Sequence, residues 1–448
     1  PPPPPPPVFF STQNPPPALR LRLVGSEMCI RDRAGAAQAY LGVNLLSQDL
    51  LAVGGNDRKI PSRKNPANKV IYLYMSGGMS HLDTFDPKPE ASSEIRGDLS
   101  TIKTSADGVR VSEYLPKLAK HMDKVAVVNS LHSKQGAHEQ ARYLMKTNYA
   151  KRGTIQHPHM AAWFLKYENR INQQLPGFVS INSGSRAPGA GFFGIDCEPL
   201  IIGKPEAGLQ NSKHFSGTPE SDFMRRRKLS GRLDQKFHSK YKDKSASAYT
   251  AIYEEAVTLM RSSDLKVFDI AQEKQSLRDR YGDHSFGQGC LLARRLSESG
   301  VRSVEVQLGG WDTHQDNFQR VQSNTAILDQ ALSALLDDLH TSGMLKETLV
   351  VLTTEFGRTP KINQNAGRDH YPKAFSAVLA GGGVKGGMVY GKTDDKGTEP
   401  IEDSVTIGDF NATIAYGCGL PLDQRLFTKT ARPFTVANHG DPIVKLFS

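Results

Sequence analysis

Cysteine is scarce: Cys29, Cys197, Cys290 and Cys418 are the only four in 448 residues, and no two stand in a CxxC or other metal-binding spacing. That argues against a disulfide framework and leaves them as small core residues. Long apolar runs are also missing, so no segment is suited to crossing a bilayer as a helix. No internal repeat occurs, and the glycine-rich stretch 187–194 lacks a phosphate-loop pattern. Base exceeds acid, with a formal charge of +10 and a pI near 9.3. No nucleic-acid-binding motif accompanies that excess. The cluster Arg225-Arg226-Arg227-Lys228 therefore reads as a solvated basic face, and the basic balance suits an anionic substrate.

What remains is a globular chain, 38% hydrophobic with a mean hydropathy of -0.44, long enough for a large core. Pro1 to Pro7 is a homopolymer, and Val24 to Arg33 (VGSEMCIRDR) resembles translated adapter sequence, so residues 1–33 are expected to be non-native. Ala34 to Ala52 reads equally as an amphipathic helix or as the rear of an export signal. Residues 54–68 read as a linker, and the globular domain spans 69–448.

Within that domain, 348–353 (TLVVLT) is apolar or β-branched without alternation, as in a central parallel strand covered on both faces. Val70 to Met75, Val125 to Asn129, Phe178 to Ile181, Val301 to Leu308 and Phe375 to Ala380 read as further strands. Helical patterns lie between them. Leu328, Ala331, Leu332, Leu335, Leu336 and Leu339 are one example, closed by Gly343. Residues 204–285 are polar and basic, and read as a helical insertion over the sheet. The alternation predicts a three-layer α/β/α sandwich with a mainly parallel, doubly wound sheet.

Acids and histidines gather after the strands. His81, Asp83 and Asp86 follow the first, and His132 and His138 the second. Asp312 and His314 follow the 301–308 strand, while Glu355, Arg358, Asp369 and His370 follow 348–353. A parallel sheet brings these ends to one edge, where α/β proteins bind ligands. Asp, Glu and His donors suit Zn or Mn, one ion or two, favoured here over a hydrogen-bonded structural cluster. Asp83, His138, Asp312, His314, Glu355 and His370 are expected in one pocket, with Asp369 beside them.

The motifs GGMSHLDTFDPKP, GWDTHQDNF, TEFGRTP and GRDHYP, in that order from Val70 onward, resemble the exported domain of unknown function 1501 family. The resemblance implies distant kinship with the alkaline phosphatase and sulfatase superfamily. It also implies a bacterial protein placed beyond the cytoplasmic membrane by a twin-arginine signal. Activity on phosphate or sulfate esters, small or polysaccharide, would follow. The implied metal ligands match Asp312, His314 and His370, with Glu355 in place of an aspartate. The implied nucleophile position falls on His138, nine residues before Thr147-Asn148, and the sulfatase arginine falls on Arg142. A histidine there is a metal ligand or a phosphoryl acceptor, or it merely caps its helix. Arg142 or Arg358 would hold the anion. The alternative is a non-catalytic exported relative that binds metal or ligand and has lost the nucleophile.

Overall fold

Strand β1 (Lys69–Met75) is buried along its whole length, and its side chains divide between two cores. Ile71, Leu73 and Met75 join one apolar cluster, while Val70, Tyr72 and Tyr74 join the other. This period of two explains why the strand is apolar throughout: both faces are covered. The computed structural model describes residues 60–184, 188–210, 212, 219–241 and 244–448, so the readings of 1–33 and 34–52 lie outside the described residues.

Among the described residues, the main sheet has nine strands. After β1 come β2 (Val125–His132), β3 (Phe178–Ile181), β4 (Leu200–Ile202), β5 (Ser303–Leu308), β6 (Thr348–Thr353), β7 (Phe375–Gly381), β8 (Met388–Tyr390) and β9 (Val405–Thr406). Their order is β8-β2-β7-β6-β1-β5-β3-β4, with β9 also on β2. Only β7 runs antiparallel to its neighbours β2 and β6; every other pairing is parallel. β1, β2, β5 and β6 therefore all end at the same edge.

Helices α3 (Ser285–Glu298) and α4 (Asn317–Thr341) cover one face, with Leu291, Leu292, Leu328 and Leu335 in its core. Helices α1 (His138–Thr147), α2 (Met160–Glu168) and α5 (Ile407–Gly417) cover the other, through Met145, Trp163, Phe164 and Phe410. The expected doubly wound α/β/α sandwich is what the chain forms. A capping box between Thr406 and Asp409 starts α5, a device worth about 1 kcal/mol. Asn148 ends α1 with φ of 65°, and its Nδ2 donates to the carbonyls of Val436 and Ala437. Helix Glu220–Tyr241 belongs to a compact unit separate from the one that holds the sheet. Val267, Phe268, Ile270 and Tyr281 belong instead to the core of the sheet.

The loop after α1 packs on that helix through His157. Its ring stacks on Tyr149 at 4.6 Å, and its Nδ1 accepts from the Tyr143 hydroxyl at 2.9 Å. Burial, helped by the nearby Arg152 charge, pushes its pKa down to about 4. Between that value and the ordinary ~6.5 the unfolded chain binds the extra proton, so this contribution to stability is complete above pH ~6.5 and drains away as pH falls towards 4. The melting temperature is expected to fall across that window, and His157→Gln to flatten the fall. An identical pH dependence in the variant would contradict this.

Candidate metal centre

Four loops leave the carboxyl edge of the sheet and meet at the Asp312 carboxylate. The first passes unusually close. A Cβ on Gly77 would come within 2.5 Å of the Asp312 backbone nitrogen, and Gly77 sits at φ +121°. Glycine is required there by both space and conformation. The second loop brings His138, the first residue of α1. The third carries Asp312 and His314 after β5. The fourth, after β6, carries Glu355 and then a two-residue ladder in which His370 pairs with Arg358.

His138 Nδ1 lies 2.9 Å from Glu355 Oε1. His314 Nδ1 lies 2.7 Å from Asp369 Oδ1, and His370 Nδ1 lies 2.8 Å from the Gly136 carbonyl. A carbonyl or a carboxylate only accepts, so each imidazole donates through Nδ1. Each neutral ring therefore turns its Nε2 lone pair inward. His138 Nε2 is 3.4 Å from Asp312 Oδ2, and His314 and His370 Nε2 are 3.1 and 3.2 Å from Asp312 Oδ1. The Nε2 atoms of His314 and His370 are 3.0 Å apart. Acceptors are thus crowded around one point, and His138 Nε2 is buried with no hydrogen-bond partner among the described residues. Only positive charge relieves that, supplied by protons or by a cation. His138, Asp312 and His370 hold their donor atoms within 4.8 Å of one another, which fits one divalent ion. Imidazole and carboxylate donors suit zinc.

The electrostatics agree. The hydrogen bond to Glu355 raises the His138 pKa against the opposing effect of burial, and the Asp312 charge adds to the rise. Burial and the His138 and Arg358 charges lower His370. Burial pushes Asp312 up, but the Arg358 guanidinium overcomes it and holds the carboxyl at about 2. The bond from His314 lowers Asp369.

The remaining expected residues take different places. Glu355 is buried, with Oε1 accepting from His138 and the Gly77 N–H and Oε2 from the Tyr74 hydroxyl at 2.8 Å. It braces the centre rather than facing its middle. Arg358 is also buried, and all three of its nitrogens are engaged: Nε by Gly78 O, Nη1 by Arg368 O, and Nη2 by Gly77 O and, at 2.5 Å, Asp312. The expected anion-holding role does not suit it, because its donors hold the protein together. Asp83 does not join the pocket: Arg368 pairs with both its oxygens at 2.9 Å, and Asn317 adds a third bond. Asp86 bonds Lys88 and Thr393, and His81 Nε2 faces the Gly397 carbonyl. Arg142 lies one turn after His138 on α1, half-buried, with no hydrogen-bond or ion-pair partner among the described residues. His138 does not cap its helix; Ala137 holds that position.

Sequence reading missed Tyr74 and a buried ionic group behind it. Lys146 Nζ lies 2.8 Å from Glu305 Oε1, His159 Nε2 lies 3.1 Å from Oε2, and the lysine sits 4.2 Å above the Tyr74 ring. Burial alone would push the Glu305 carboxyl up; Lys146 and His159 instead hold it well below the usual range. The spacing of His138, Arg142 and Lys146 at i, i+4 and i+8 was the available signal, since it puts all three on one helix face.

Known proteins resemble this chain at very different strengths. No curated protein sequence matches it. Among solved structures, the PsFucS1 sulfatase from Pseudoalteromonas sp. is similar at 11% identity, covering 85% of this chain and 72% of that one, with a TM-score of 0.39. A protein in the alkaline phosphatase superfamily from Vibrio parahaemolyticus is similar at 11% identity, over 82% and 76% of the two chains, with a TM-score of 0.36. The phosphonate monoester hydrolase SpPMH from Silicibacter pomeroyi is similar at 11% identity, over 85% and 76%, with a TM-score of 0.33. A family model described as "Protein of unknown function (DUF1501)" matches residues 67–447. With most of its length matched by that model, and with the four motifs that carry the likeness in order, the chain belongs to the DUF1501 family.

Proposed function

We propose that this protein is a metal-dependent hydrolase of phosphate or sulfate esters, acting on an anionic small molecule or polysaccharide outside the cytoplasmic membrane. One observation carries the reading: three inward-facing Nε2 atoms, each on a ring whose Nδ1 proton is already given to a carboxylate or carbonyl, surround the Asp312 carboxylate, which is itself anchored by Arg358. His138, Asp312 and His370 would hold a divalent ion, Zn or Mn, with His314 beside them on the exposed side. Such an ion supplies Lewis-acid polarisation of the ester and activation of water. The chain's own residues bind and orient. Arg358 anchors Asp312, Glu355 anchors His138, and Arg142, one turn along α1 and unpaired among the described residues, would offer its guanidinium to an anionic oxygen.

A second reading, a non-catalytic exported relative that binds metal or ligand, draws on α1 opening with His138 where a hydroxyl or thiol nucleophile would stand. Assaying the zinc- and manganese-loaded protein against aryl phosphate mono- and diesters and aryl sulfates separates the two. Turnover is expected, and Arg142→Gln should raise KM about tenfold or more by removing one charge-assisted contact. Metal uptake with no turnover on any of the three ester classes would favour the non-catalytic reading.

A further inference from the structure

We propose that Tyr74 is the positioning residue of the metal centre, acting through Glu355 to fix the ring orientation and tautomer of His138. The inference rests on the metal reading above and deepens it. Glu355, the acid at this strand end, is among the metal ligands expected from the sequence. Here its oxygens are used otherwise. Oε1 receives the His138 Nδ1 proton and the Gly77 N–H, and Oε2 receives the Tyr74 hydroxyl. Among the described residues, the other hydrogen-bond contact to Oε2 is a long one, 3.4 Å, from Thr354 Oγ1.

Tyr74 is well placed to set this geometry. It is fully buried on the central strand, with Tyr72 stacked 6.4 Å away and Lys146 Nζ 4.2 Å over its ring. Lys146 is locked in turn by Glu305. His138 and Lys146 lie on the same face of α1, and Tyr74 meets the first through Glu355 and the second directly. One side chain thus pins the helix to the sheet at both places. With the hydroxyl present, Glu355 Oε1 is held 2.9 Å from His138 Nδ1, Nδ1 keeps the proton, and the Nε2 lone pair is left for a cation. Carboxylates that receive a ligand histidine's second nitrogen in this way raise metal affinity by about 10- to 100-fold.

Tyr74→Phe deletes only the hydroxyl and keeps the ring under Lys146, so the fold should survive. Zinc affinity is read by competition with a chromophoric chelator, and the His138 tautomer by ring nitrogen chemical shifts of the metal-free protein. The variant is expected to bind zinc about 10- to 100-fold more weakly, to stay folded with a melting temperature lowered by the loss of the buried hydrogen bond to Glu355 Oε2, and to show His138 as a mixture of tautomers. Glu355→Gln should weaken binding at least as much. A folded Tyr74→Phe variant whose zinc affinity stays within about twofold of wild type, or whose His138 remains wholly Nδ1-protonated, overturns the proposal. Wild-type protein that takes up no zinc refutes the metal reading instead, and the tautomer measurement then decides the positioning claim alone.

Discussion

His138→Ala is expected to reduce bound metal to background and to abolish ester hydrolysis. The side chain supplies the buried Nε2 that lacks any other partner, and it is one of three donors gathered within 4.8 Å. Losing a donor costs more than the roughly 100-fold that follows loss of an outer partner. Alanine also strips Glu355 of a hydrogen bond at a site closed to solvent, which costs about 1–3 kcal/mol in stability. Metal content and stability should therefore both fall. A phosphoryl acceptor would behave differently: metal would remain, and a covalent phosphohistidine would vanish. A variant that keeps both metal and activity contradicts the assignment of His138.

Arg368→Met is expected to be the most destabilising substitution near the centre without touching it. Arg368 and Asp83 are both fully buried and bonded through two contacts of 2.9 Å. Removing the cation strands a carboxylate in the core, at a cost of about 3–5 kcal/mol by denaturant unfolding. Combining it with Asp83→Asn should recover much of that loss, since the uncompensated charge causes the damage. Metal content per folded chain should be unchanged in the double variant. A double variant that folds but loses its metal would return Asp83 to the ligand set.

Much of this was legible in the chain, and the rest was hidden for physical reasons. β1 and β6 were readable because strands buried on both faces carry unbroken apolar runs. β4, β8 and β9 span two or three residues and hold too little pattern to register. The reversed direction of β7 leaves no mark in composition, because direction is decided by tertiary pairing. The strand-end rule expected His138, Asp312, His314 and His370 side by side, and the structure brings them together, since parallel strands deliver their ends to one edge. It could not separate inward-facing donors from acids already taken. Asp83 and Glu355 follow their strands in the same way as Asp312, yet Arg368 claims the first and Tyr74 and His138 share the second. Those partners stand more than 200 residues away in sequence, where spacing says nothing. Arg358 misled for the same reason: its charge was visible, but the carbonyls of Gly77, Gly78 and Arg368 that consume its donors were not.

X-ray absorption at the zinc edge on purified, zinc-reconstituted protein shows whether this edge of the sheet is a metal centre. The expected result is stoichiometric zinc with an inner shell of imidazole nitrogen and carboxylate oxygen at about 2.0–2.2 Å and no sulfur, lost in His138→Ala. Protein that holds no zinc after reconstitution, or zinc whose shell is unchanged by His138→Ala, would mean that these residues do not form a metal centre.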